Sequence, residues 1–101
     1  MRTITELSKC EEKVYLYLGN RSIAERFLMD VEREGFRFGD GARPTERSTS
    51  DIFVINKDWS ISYVGFIGHM AFKGAKDVGG RKLLRIDYER YILGLDDYLI
   101  Q

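Results

Sequence analysis

The strongest pattern in the chain runs from Ser50 to Lys73. Apolar residues fill positions 52–55, a polar Lys57-Asp58 pair follows, and a mostly apolar stretch resumes from Trp59 to Phe72. Most of these apolar residues are β-branched or aromatic, which suits a pleated, half-buried surface and predicts a β-hairpin. In the second arm Ile61, Tyr63 and Ile67 share one face, while Val64, Phe66, Met70 and Phe72 share the other. Gly65 and Gly68 weaken a flat strand, so a bulge or bend is expected there.

Upstream, Ile4, Leu7 and Cys10 have the spacing of a short helix within residues 3–11, and Val14 to Leu18 reads as a strand. Helical periodicity is clearest over 22–34. Ile23, Phe27, Leu28 and Val31 share a face there, and Glu25, Asp30, Glu32 and Arg33 point away. Ser22-Ile-Ala-Glu25 reads as a capping box, and Gly35 stands where a left-handed C-terminal residue is wanted. Phe36 to Phe38 alternates like a short strand. Residues 39–50 then form a polar loop without an apolar anchor, and a loop of that length is either functional or disordered. Residues 82–87 return as a strand. Tyr88, Tyr91, Ile92, Leu95 and Leu99 have helical spacing, interrupted at Gly94.

The order β-α-β-loop-β-β-loop-β-α predicts an α+β fold. It is a small, mainly antiparallel sheet with one main helix packed on one face and a short C-terminal helix. At 101 residues the chain is expected to be a single domain, 1–101. Edge strands in such a sheet need protection, so a homodimer is expected.

Composition narrows the function classes. Sixteen basic residues balance sixteen acidic ones, unlike a basic nucleic-acid binder. One cysteine cannot form an internal disulfide, which fits a reducing compartment. The first residues carry no apolar leader core, and no apolar run reaches the roughly 20 residues of a membrane span. A soluble cytoplasmic protein without membrane association is expected.

Candidate chemistry is sparse. The junction Gly19-Asn20-Arg21-Ser22 sets Arg21 and Ser22 at a helix N-terminus, whose amides and dipole favour an anion, against the plainer reading of an ordinary capped helix. The 39–50 loop carries Arg43, Arg47 and Ser48, with Thr45 and Thr49, and hydroxyls beside arginines suit phosphate. If strands 14–18 and 51–56 pair antiparallel, these two segments meet. Arg21, Ser22, Arg43, Arg47 and Ser48 then make one anion site. Trp59, beside a turn, is the aromatic most suited to contact a partner, and Lys73, Lys76 and Arg81 give a local basic excess around a second loop, residues 74–80. His69 is the only histidine, which excludes a multi-histidine metal site, and Cys10 is its one conceivable catalytic partner. The plainer readings are a partly buried, hydrogen-bonded strand histidine and a small buried thiol. No carboxylate pair, ligand cluster or triad stands out, so neither an enzyme nor a cofactor is expected.

The run Gly35-Phe-Arg-Phe-Gly-Asp-Gly41, then Pro44-Thr-Glu46, Ser50-Asp-Ile-Phe-Val54 and Ile61 to Met70, resembles small uncharacterised accessory proteins of phages and mobile elements from Gram-positive bacteria. That resemblance covers the middle half of the chain and implies an accessory protein that acts by binding. The expected function is a non-enzymatic binding module for a host protein or a small anionic, nucleotide-like ligand. The alternative is a nucleic-acid binder that uses the basic 73–90 region.

Overall fold

A computed structural model of the chain describes residues 2–74, 77–78 and 80–100. In chain order the elements are α1 (Ile4–Ser8), β1 (Lys13–Tyr17), α2 (Arg21–Arg33), β2 (Arg37–Phe38), a 3-10 turn (Pro44–Glu46), β3 (Ile52–Ile55), β4 (Ser60–Tyr63), α3 (Phe66–Gly74), β5 (Asp77–Val78), β6 (Arg81–Asp87) and α4 (Tyr88–Ile92). The fold is α+β. Among the described residues no helix is long and apolar enough to cross a membrane.

The strands lie in the order β2-β4-β3-β1-β6-β5. β1 pairs antiparallel with β3, and β3 with β4. However, β1 runs parallel to β6, and β2 parallel to β4. The sheet is therefore mixed rather than mainly antiparallel. Each parallel pair needs a crossover. The chain from β4 to β6 supplies one by passing through α3, and the other runs from β2 through the 39–50 loop and β3. Both outermost strands, β2 and β5, are two residues long, which leaves little open edge.

Alternation splits the sheet's side chains between two cores. One face carries Val14, Leu16, Phe53, Ile55, Ile61 and Ile86, covered by Ile4 and Leu7 of α1, Phe27, Leu28 and Val31 of α2, and Tyr88 and Tyr91 of α4. The other carries Tyr15, Ile52, Val54 and Leu83, against which Phe72 of α3 packs. Helices thus lie on both faces, not on one. This corrects the expectation that the second hairpin arm stays extended to residue 72. β4 ends at Tyr63, Gly65 lies at the change of element rather than in a bulge, and Gly68 falls inside α3. A short apolar run containing Met, Ala and Lys fits either period, and here the apolar second face gives a helix something to cover.

Local signals explain most element ends. Asn20, not Ser22, caps α2: it is extended, and its side chain accepts from the Ile23 amide. Glu25 does not reach back to close a capping box; it pairs with Arg21 one turn earlier. Gly35 ends the helix at a φ of 97°. The β3–β4 turn holds three residues, closed by the Asn56 amide on the Ser60 carbonyl, with Trp59 at a φ of 65°. α4 stops at Ile92 and Gly94 takes a positive φ, after which Leu99 bridges to Ile86 of β6 instead of continuing a helix.

Candidate functional site

The antiparallel register of β1 and β3 sets the end of one strand against the start of the other. Tyr17 lies opposite Ile52, and the Leu18 amide donates to the Asp51 carbonyl at 2.8 Å. The Gly19–Ser22 junction and the end of the 39–50 loop therefore meet, as the sequence led us to expect.

The loop is held by contacts that its polar composition hides. Pro44 is fully buried and provides the apolar anchor the sequence did not reveal. Glu32 of α2 accepts from the Thr45 amide at 3.0 Å and from its hydroxyl at 2.7 Å. These bonds to Thr45 hold the Glu32 carboxyl below its ordinary value. Arg47 donates to Asp40 and lies 5.0 Å from the Phe38 ring centroid. Tyr63 stacks on Phe38 and donates its hydroxyl to the Ser48 carbonyl.

Between this loop and α2 runs an open groove of about 460 Å³, its walls formed by Arg21, Glu25, Thr45, Arg47, Ser48 and Thr49 and its apolar side by Leu28 and Met29. A second cleft of about 330 Å³ adjoins it across Arg21 and Thr49, and reaches Gly19, Asn20, Ser50 and Asp51. Of the five anion-site residues named from the sequence, Arg21, Arg47 and Ser48 converge on the groove. Ser22 and Arg43 do not line it; Arg43 pairs with Glu46 at 3.2 Å on the outside of the 3-10 turn. Both groove arginines have carboxylate partners, Glu25 for Arg21 and Asp40 for Arg47. All four side chains are exposed.

The proposed partner-contact residues are dispersed. Trp59 is 45% exposed at the hairpin turn, its ring tilted against Phe36 at 5.1 Å. Arg81 opens β6, three strand spacings from β4 or about 14 Å. Its guanidinium donates to the carbonyls of Glu11 and Glu12, so it fastens the chain before β1. Lys73 is exposed in the last turn of α3. Lys76 lies outside the described residues.

His69 stands on α3 rather than on a strand. Its Nε2 is 3.0 Å from Asp51 and its Nδ1 is 3.0 Å from the Gly65 carbonyl. Neither nitrogen is left over to act as a base toward Ser50, whose hydroxyl also reaches Asp51, at 3.3 Å. Cys10 lies at the other end of β1, near Lys57 and Glu12, and burial pushes its thiol up rather than activating it. Asp51 and His69 are 18 residues apart on different elements, and no local spacing announces the pair.

Among the described residues no group of three or more His, Cys, Asp or Glu is placed to hold a metal ion. No protein-family model matches the chain, and neither curated proteins nor solved structures provide a match.

Proposed function

We propose that the chain is a non-enzymatic binding module of the phage or mobile-element type, whose groove between α2 and residues 45–49 takes a small anionic, nucleotide-like ligand or an anionic group on a host protein. The observation that carries this reading is the convergence of Arg21 and Arg47 with the hydroxyls of Thr45, Ser48 and Thr49 on one groove. Guanidinium forks match phosphate geometry, and hydroxyls complete its shell. Leu28 and Met29 add an apolar surface suited to a base or a ring. The groove lies off the carboxyl end of β1, a position at which open α/β sheets hold ligands. The ion pairs that engage the two arginines are exposed, so exchanging a carboxylate for a ligand phosphate costs little. The engaged ring of His69 and the distance of Cys10 from it favour binding over catalysis.

The basic 73–90 region offers less to a nucleic acid than its composition suggests. Arg81 is committed to carbonyls, Arg85 donates to the Phe72 carbonyl, and Arg90 pairs with Asp97. Self-association belongs to the same proposal, with exposed Leu93 and Leu95 offering apolar contact surface.

The test is a titration with pyrophosphate and a nucleotide panel, followed by amide NMR shifts at low salt. Shifts concentrated at 19–22 and 45–50 are expected. Arg21→Ala with Arg47→Ala should abolish them without moving the melting temperature. Binding that survives the double substitution overturns the site. Affinity for an oligonucleotide that collapses as salt rises would favour the nucleic-acid alternative.

A further inference from the structure

α3 closes the second face of the sheet, and three of the contacts that hold it there are made by Phe72 and His69. Phe72 stacks on Tyr15 and Tyr17, with ring centroids 6.5 and 6.1 Å apart. Arg85 donates to the Phe72 carbonyl. The third contact, His69 with Asp51, lies nearer the start of the helix and joins it to the residue that precedes β3.

The ring of His69 is flanked by two groups that only accept. The Gly65 carbonyl faces Nδ1 and the Asp51 carboxylate faces Nε2. A neutral imidazole carries one N–H and satisfies one of them, whereas an imidazolium satisfies both. We propose that His69 and Asp51 form a proton-operated latch, in which the imidazolium pins α3 over the second face of the sheet and loss of its proton loosens the helix. Loosening uncovers Tyr15, Ile52, Val54 and Leu83, the apolar residues of that face.

The charged surroundings agree with this assignment. Asp51 acts from the chain entering β3, with the Ser50 hydroxyl on the same carboxylate, and Lys73 acts from one turn further along α3. The bond to Asp51 raises His69 above its ordinary 6.5, the Gly65 carbonyl adds to the effect, and Lys73 opposes it. The bond to His69 holds Asp51 below its ordinary 3.8. A raised histidine contributes stability that is fully present below 6.5 and is lost as pH climbs through the folded-state value. A depressed aspartate contributes stability present above 3.8 and lost as pH falls through its own folded value. The latch is therefore tightest between the two and opens on the alkaline side as His69 titrates. The His69 side chain is 36% exposed, so the pair behaves as a surface ion pair. Its loss should shift the opening equilibrium of α3 by about two- to fivefold.

The chain contains a single histidine, so its ring resonances need no assignment. The experiment follows them by NMR as pH is varied and measures amide exchange across α3 and β1, corrected for intrinsic base catalysis. His69 is expected to titrate above 6.5, with α3 protection falling about two- to fivefold over the same range while β1 stays constant. Asp51→Asn should return the titration toward the ordinary value and flatten the response of α3, and His69→Gln should flatten it as well. The latch is overturned if wild-type α3 protection ignores the titration, or if Asp51→Asn leaves the histidine where it was. Should Asp51→Asn fail to fold, the wild-type titration and exchange decide alone.

Discussion

The hydroxyl of Tyr88 at the start of α4 donates to the carboxylate of Asp30 in α2, 58 residues earlier in the chain. Asp30 is a buried charged side chain, and Arg26 and Arg33 reach it from the same helix at 3.5 and 2.9 Å. Burial first, and then the bond to Asp30, push the Tyr88 phenol far above its ordinary range, so it remains a donor at every working pH. The pair ties the last helix to the main one through a satisfied polar contact where the core meets a cleft lined by Arg26, Arg33 and Glu34.

Tyr88→Phe removes that donor and keeps the ring. A buried acceptor that loses its partner costs about 1–3 kcal/mol. The expected result in urea denaturation is an unfolding free energy lowered by that amount, seen as a lower midpoint with an unchanged slope. An unaltered midpoint would mean that Arg26 and Arg33 suffice for the carboxylate.

Phe27 is fully buried and touches Phe53 and Tyr88, with ring centroids 5.1 and 5.3 Å away. Phe27→Ala should cost about 3–5 kcal/mol, the range for removing a buried aromatic ring. A loss below about 1 kcal/mol would show that the core collapses around the gap.

Trp59 holds a backbone conformation that suits glycine, at a φ of 65°. Its ring packs on Phe36, so packing and strain oppose each other at one residue. Trp59→Ala loses the packing and keeps the strain, whereas Trp59→Gly loses both. The glycine variant should therefore be more stable than the alanine variant by about 1–2 kcal/mol. The opposite order in thermal melts would mean that the turn relaxes when the ring is removed.

Glu32 fastens the 3-10 turn through Thr45, from a half-buried position on α2. Glu32→Gln weakens both bonds by removing their charge. Faster limited proteolysis within 39–50 is expected, with little change in global stability. Equal cleavage rates would leave buried Pro44 as the sufficient anchor.

Helix α2, strands β1, β3 and β6 and the hairpin's first turn were legible because each carries its own periodicity and its own end signals. Phe27 and Val31 recur at helical spacing, and Ile52 to Ile55 is too short and too β-branched for a helix. Antiparallel pairing of β1 with β3 was an assumption at the level of sequence; the structure contains that pairing, and it brings Arg21, Arg47 and Ser48 to one groove. Local chemistry misled at Ser22, since both it and Asn20 are good caps and the backbone chose the earlier one. It misled again at Gly65 to Phe72, where alternation and helical spacing coexist.

Distant segments satisfy one another in ways the local pattern does not carry. The second sheet face holds Tyr15, Ile52, Val54 and Leu83, and α3 covers it. Pro44 becomes an anchor only because a core lies beneath it. Asp30 finds Tyr88, and Asp51 finds His69, through contacts that no sequence spacing encodes. Local pattern settled α2, β1, β3 and β6, because propensity and burial period act within a few residues, but not Phe66–Gly74, where both periods fit. The mixed order of strands and the charged pairs were decided by burial and hydrogen-bond satisfaction across the whole chain, and those depend on neighbours that sequence distance does not reveal.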